Sequence, residues 1–107
     1  MTELQTLLFN LDKQNETLAR AHLKYLSMEA ERKHFEATLK TKMPGKSSVE
    51  KTTLAEASPD WLKFQQELAK LEAIYEFQRL KFSILERSWQ SAYLEAKLNE
   101  SLIRKQE

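Results

Sequence analysis

Residues 39–48, LKTKMPGKSS, hold the only glycine of the chain and one of its two prolines. Pro44 has no backbone N–H and disfavours helical angles at Met43, while Gly45 tolerates left-handed angles. A helix that reaches this stretch therefore ends at about residue 42. Ala, Leu, Glu, Lys and Gln, all good helix formers, dominate the chain. The stretch predicts a corner between two helices, and a straight rod is the competing arrangement.

Before the corner, apolar residues recur every seven positions, which places them on one face of a helix. Thr2 and Gln5 have the spacing of a capping box, in which each side chain binds a backbone N–H of the other. These signals predict a helix over 3–42. The periodic positions are Leu4, Leu7, Leu11, Gln14, Leu18, Ala21, Tyr25, Met28, Arg32, Phe35 and Leu39.

After the corner, Ser47 and Glu50 repeat the capping-box spacing and predict a short helix within 43–58. Ser58 and Pro59 then open a third helix over 59–104. The sequence thus predicts an all-α single domain over 1–107, a long antiparallel, coiled-coil-like helical hairpin with a short middle helix. The periodic positions of the third helix are Trp61, Phe64, Leu68, Leu71, Tyr75, Gln78, Phe82, Leu85, Trp89, Ala92, Ala96, Asn99 and Ile103.

The third helix carries a second apolar stripe, well away from the first at 100° per residue. Monomeric proteins rarely leave so much apolar surface in water. We therefore expect the chain to form a homo-oligomeric bundle or to dock a protein partner; alternatively, the short helix covers part of the stripe. The predicted interface residues are Ile74, Phe77, Leu80, Ile84, Leu94, Leu98 and Leu102.

Four lysines near the corner, here called the basic cluster, suggest contact with phosphate groups of DNA that would not read sequence. The alternative is an ordinary solvated loop, with lysines favoured at the C-terminal end of a helix dipole. The cluster consists of Lys40, Lys42, Lys46 and Lys51.

Composition narrows the function classes. Seventeen basic and 16 acidic residues give a net charge of +1, and there is no cysteine. The even balance argues against whole-chain binding to nucleic acid or membrane. Neither a signal peptide nor a membrane-spanning segment is predicted, which is compatible with a cytoplasmic protein.

The sequence does not predict an enzyme, a metal site or a cofactor. His22 and His34 lie too far apart to meet on one helix, so solvated surface positions are favoured over a metal site. Gly45-Lys46-Ser47 ends like a phosphate-binding loop, but position 40 is Lys rather than the required Gly. Acidic residues near Arg32 are interpreted as surface ion pairs.

The order of elements resembles that of a known group of proteins. A charged amphipathic helix ends at a Gly-Lys turn, the segment GKSSVEKTTLAEAS follows at residues 45–58, and a second long helix comes next. In this the chain resembles small helical proteins from the early or recombination regions of tailed bacteriophages and prophages. The resemblance implies a bacterial cytoplasmic setting and, by analogy, DNA recombination, replication or the countering of a host system. The hairpin also resembles stalk proteins of bacterial secretion ATPases.

Overall fold

The computed structural model describes residues 2–42, 44 and 47–106, and it is all-helical over these residues. Helix α1 spans Glu3–Lys42, α2 spans Ser48–Glu56 and α3 spans Pro59–Gln106. The prediction of an all-α helical hairpin with a short middle helix is confirmed. The sequence had ended the third helix at residue 104, two residues before its observed end.

By its internal contacts the chain forms two compact units. Unit 1 comprises Met1–Arg20 and Glu76–Glu107, which pair the beginning of α1 with the end of α3. Unit 2 comprises Ala21–Tyr75, with the remainder of α1, all of α2 and the beginning of α3. Each unit therefore contains one stretch of each long helix.

The start of α1 is fixed by the predicted capping box. The backbone N–H of Thr2 donates to Oε1 of Gln5 at 3.0 Å, and the N–H of Gln5 donates to Oγ1 of Thr2 at 3.2 Å. At the start of α2, the N–H of Glu50 donates to Oγ of Ser47 at 3.1 Å. Both caps satisfy N–H groups that have no partner within the first helical turn.

Ser58 joins the end of α2 to the start of α3. Its Oγ accepts from the N–H of Trp61 at 3.2 Å and donates to the carbonyl oxygen of Ala55 at 2.7 Å. Pro59 occupies the first position of α3, where a missing N–H has no consequence. One hydroxyl group thus ends one helix and starts the next, so the connection needs only Ala57 and Ser58.

Unit 2 contains all four of the buried apolar residues found in the described chain, which are Ala21, Leu39, Ala55 and Leu68. An aromatic group packs beside them. The ring of Phe35 stacks on Phe64 at 4.5 Å between centroids and lies 6.3 Å from Trp61. Trp61 and Phe64, two periodic positions of the third helix, thus pack against α1 in the seam.

Unit 1 has a different interior. Among its described residues, only the polar Gln14 is buried, and its apolar seam positions remain partly accessible. The Nε2 group of Gln14 donates to Oε1 of Gln78 at 2.7 Å and to the backbone oxygen of Gln78 at 3.1 Å. The buried contact between α1 and α3 here is therefore polar, and it joins one position of each seven-residue pattern.

Some periodic positions are exposed. Arg32 is exposed, and its guanidinium pairs with Glu29 at 3.3 Å. This pair confirms the surface ion pairing predicted near Arg32, and the periodic position adds no buried side chain to the seam because a guanidinium without a buried partner is more stable in water. Ala96, Asn99 and Ile103, the last three periodic positions of α3, are also exposed. The apolar pattern thus continues past the last partly buried seam position, Ala92.

Candidate interaction surface

Six apolar residues of unit 1 form an exposed strip along α3, here called the α3 apolar face. Their exposed fractions lie between 49% and 66%, although all six belong to residue types that favour the interior. The same unit buries no apolar residue among those described. The α3 apolar face consists of Phe77, Leu80, Ile84, Leu94, Leu98 and Leu102.

The α3 apolar face lies on the side of α3 that is turned away from α1. At 100° per residue, Phe77, Leu80 and Ile84 point roughly 140° from the seam positions of the same turns. One of those seam positions, Gln78, is in direct contact with α1. The strip therefore cannot be covered by the α1 stretch of its own unit.

Two lysines cover a little of the apolar surface of this part of α3. Nζ of Lys81 lies 5.5 Å from the centre of the Phe77 ring, and Nζ of Lys97 lies 5.6 Å from that of Tyr93. Such contacts let a long side chain lie along apolar surface while its charge remains hydrated. Phe77 is nevertheless 58% exposed, so the strip stays open to a partner.

Ile74, the seventh predicted interface residue, is also exposed but belongs to unit 2. Unit 2 has its own open groove of about 630 Å³, which is the largest of its described pockets. Apolar side chains of both long helices, including Leu23, Met28 and Leu71, line this groove. Helix α2 buries Ala55, and none of the seven predicted interface residues is buried. All seven remain exposed, so the structure gives no support to the alternative in which the short helix covers part of the stripe.

No protein-family model, curated protein or solved structure matches the chain.

The basic cluster is partly assembled in unit 2. Lys40 and Lys51 line one shallow cleft of about 300 Å³ together with Thr41, Ser47 and Ser48. Nζ of Lys40 also lies 3.5 Å from a carboxylate oxygen of Glu36. Lys42 is exposed and does not line this cleft, and Lys46 lies outside the described residues. The structure thus brings two of the four predicted lysines together.

The histidines differ in their surroundings. His22 was predicted to be a solvated surface residue, but its ring stacks on Tyr75 at 4.5 Å between centroids and is half-buried. The sequence signal for the partial burial of His22 was its position next to Ala21, a periodic position of the first helix. His34 is exposed, as predicted. In residues 2–42, 44 and 47–106, no three His, Asp or Glu side chains are grouped so as to hold a metal ion.

Within that same described part of the chain, no helix combines the length and the apolar character required to cross a membrane.

Proposed function

We propose that this protein is a non-enzymatic interaction protein whose copies associate with one another through the α3 apolar face. One observation carries the proposal: in the described residues of unit 1 only Gln14 is buried, while six large apolar residues of α3 remain about half exposed or more. A unit that buries no apolar residue among those described, and exposes a strip of six on one face of α3, has the reverse of the usual distribution. A second copy offers the same strip and can cover it.

The accessible surface of the chain supports this proposal. It measures 8442 Å². A folded monomer of 12.6 kDa is expected to expose about 6,200 Å². The excess, about 2,200 Å², is larger than the roughly 800 Å² that each partner buries in a standard protein interface. A second copy therefore has ample surface to bury without disturbing the fold.

The transfer free energy has the right magnitude. Complete burial of a Leu, Ile or Phe side chain contributes about 1.5–3 kcal/mol, and these side chains have somewhat more than half of that left to gain. Two copies of the face then contribute roughly 10–20 kcal/mol, against about 4–15 kcal/mol for the lost freedom of two molecules. Net association is favourable over most of this range.

Sedimentation of the purified protein over a range of concentrations tests the proposal. We expect dimers or larger species that dissociate on dilution, and expect the double variant Phe77→Glu/Ile84→Glu to be monomeric with unchanged helix content. Leu62→Glu is the matched control, because Leu62 is 58% exposed on α3 but outside the α3 apolar face. A wild-type protein that stays monomeric at every concentration would refute self-association.

The cleft of the basic cluster favours a second candidate function, binding to the phosphate backbone of DNA as an accessory protein of recombination or replication. Lys40 and Lys51 converge there beside the hydroxyl groups of Ser47 and Ser48. Ammonium and hydroxyl groups bind phosphate oxygens irrespective of base sequence. Glu36 competes for Lys40, which is why this function stands second.

DNA binding at two salt concentrations tests the second candidate. Two phosphate contacts predict about a tenfold loss of affinity between 50 and 200 mM salt. Replacing Lys40, Lys42 and Lys46 with Ala, or Lys40 and Lys51 alone, should abolish binding. The control variant Lys33→Ala/Lys70→Ala removes two positive charges, as the Lys40 and Lys51 variant does, but from exposed helix positions. It should leave DNA binding intact. Equal binding by both sets of variants would exclude the cluster.

Other proposals about role, location and partner rest on the sequence alone. They are a role as a bacteriophage accessory or host-takeover factor, a cytoplasmic location in a bacterial host, and the docking of a protein partner by the assembled protein. A stalk protein of a secretion ATPase is a third possibility, based on the hairpin alone. Isolation of the protein from its native host, with mass spectrometry of what accompanies it, tests all of these together.

A further inference from the structure

We infer that two copies pair through α3 in antiparallel order, about a two-fold axis at the level of residue 89. This inference rests on the proposed self-association and adds to it the partner helix, its direction and its register. Three independent features of the described part of α3 in unit 1 support it. They are the spacing of the apolar residues, the position of Arg87 between them and the order of the flanking charges.

The apolar residues are spaced almost symmetrically about residue 89. Ile84 and Leu94 lie five residues to either side of it, and Leu80 and Leu98 lie nine residues to either side. In an antiparallel pair centred there, Ile84 is level with Leu94 of the second copy and Leu80 with Leu98 of the second copy. Phe77 is then within one residue of the level of Leu102. Every apolar residue of the face thus meets an apolar residue.

A polar gap at the centre of the face determines the direction of the pair. Arg87 and Ser91 occupy the strip between its two apolar halves. In the antiparallel register, Arg87 lies opposite Ser91 of the second copy. In a parallel pair in register, Arg87 would lie opposite Arg87 of the second copy, and opposing like charges are unfavourable. The parallel arrangement would still join Glu76 to Lys81, so Arg87 is the residue that excludes it.

Two pairs of charged residues beside the strip have opposite signs in the antiparallel register, whereas Arg79 and Lys97 of the second copy form one like-charged pair. On one flank, Lys81 comes within reach of Glu95 of the second copy; on the other, Glu76 comes within reach of Arg104 of the second copy. Such flanking pairs set partner choice and orientation in coiled coils. Arg104 contacts Glu100 of its own helix at 2.6 Å, but both side chains are more than half exposed and can exchange partners. Each of these pairs occurs twice in the two-fold symmetric dimer.

The contact is long enough for a stable dimer. Residues 76–104 extend over roughly 43 Å at 1.5 Å per residue, and all of them belong to α3 of unit 1. Because the strip faces away from α1, the α3 helix of the second copy can approach it without displacing the Gln14–Gln78 contact. Each copy contributes the same six residues, as a two-fold symmetric interface requires.

Disulfide cross-linking tests the register, because the chain contains no cysteine of its own. We expect a mixture of Ile84→Cys and Leu94→Cys proteins to form a covalent dimer on oxidation. Ile84→Cys protein alone should stay uncrosslinked, since its two cysteines would lie roughly 15 Å apart along the antiparallel helices. A disulfide requires Cα atoms within about 7 Å. Efficient cross-linking of Ile84→Cys protein alone would overturn the antiparallel order.

Charge exchange provides a second test that leaves the apolar face intact. Lys81→Glu and Glu95→Lys should each weaken the dimer, by about tenfold when both symmetric pairs become repulsive. The double variant Lys81→Glu/Glu95→Lys should restore wild-type affinity. A double variant whose dimer remains weak would refute this register, whether or not the cysteine variants cross-link. Sedimentation distinguishes failure of the proposed self-association from failure of the proposed register. A wild-type monomer refutes self-association, whereas a wild-type dimer whose variants fail these tests refutes only the register.

Discussion

Gln14 and Gln78 are hydrogen-bonded across the seam of unit 1, with Nε2 of Gln14 2.7 Å from Oε1 of Gln78. Gln14 is only 8% exposed, and it is the one buried residue among those described in that unit. A buried amide with its partner in place fixes which residues of the two helices lie opposite each other. The polar pair thus acts as a register marker where apolar burial is weakest.

Replacing Gln14 should destabilise the protein because Gln78 loses its partner. We expect Gln14→Ala to lower the free energy of unfolding by about 1–3 kcal/mol, as for other buried hydrogen-bonded groups. Urea unfolding followed by circular dichroism at fixed protein concentration measures this loss. Gln66→Ala is the control, since Gln66 is exposed on α3. Equal losses in the two variants would show that the contact contributes nothing specific.

Ser58 predicts a measurable contribution from one hydroxyl group. Ser58→Ala removes the cap on the N–H of Trp61 and the bond to the carbonyl oxygen of Ala55. Loss of a Ser cap lowers the free energy of unfolding by about 0.5–2 kcal/mol. Ser27→Ala, at an exposed position within α1, should leave stability nearly unchanged. If thermal melting gives the same midpoint for both variants, the cap has no energetic role.

The aromatic group of unit 2 should be a major source of its stability. Phe35→Ala removes a ring that stacks on Phe64 and approaches Trp61. Because Phe35 is only partly buried, we expect a loss of about 2–3 kcal/mol, below the full value for a core Phe. Phe9→Ala, which removes a 47% exposed ring, should lose less than about 1 kcal/mol. Denaturant unfolding compares the two, and the reverse order would be inconsistent with this packing.

Arg87 should control both the strength and the direction of pairing. Arg87→Leu closes the polar gap in the α3 apolar face, so we expect association to tighten by at least about tenfold. The same change removes the obstacle to parallel order, so Ile84→Cys/Arg87→Leu protein should cross-link with itself. Arg20→Leu, an equivalent change at an exposed position of α1, should do neither. Weaker association of the Arg87→Leu protein would contradict the role given to this side chain.

Much of the fold could be predicted because local signals and the seven-residue pattern agreed. The Thr2–Gln5 pair, Ser58 and Pro59 marked helix starts that the structure places at the same residues. The seven-residue pattern alone did not predict the exposure of Arg32, which its acidic neighbours indicated, because a repeat of positions does not reveal whether a charge has a buried partner. Nor did it anticipate the stacking of His22 on Tyr75, which depends on the register between two distant segments.

The candidate surface was predictable in part for the same reason. The spacing of residues predicts a stripe on α3. The sequence did not show that unit 1 would bury no apolar residue among those described. The basic cluster was expected from composition along the chain. That Lys40 and Lys51 share a cleft depends on the packing of α2 beside the end of α1, because residues of both helices line it.

No large side chain of the described residues is fully buried, so the proposed self-association would link folding thermodynamically to assembly. Dilution would then lower the melting temperature, and a larger fraction of the chains would be unfolded at low concentration. Opened chains are substrates for cellular proteases, so turnover would accelerate as copy number falls. The thin interior would thus make the lifetime of the proposed oligomer depend on the concentration of the chain.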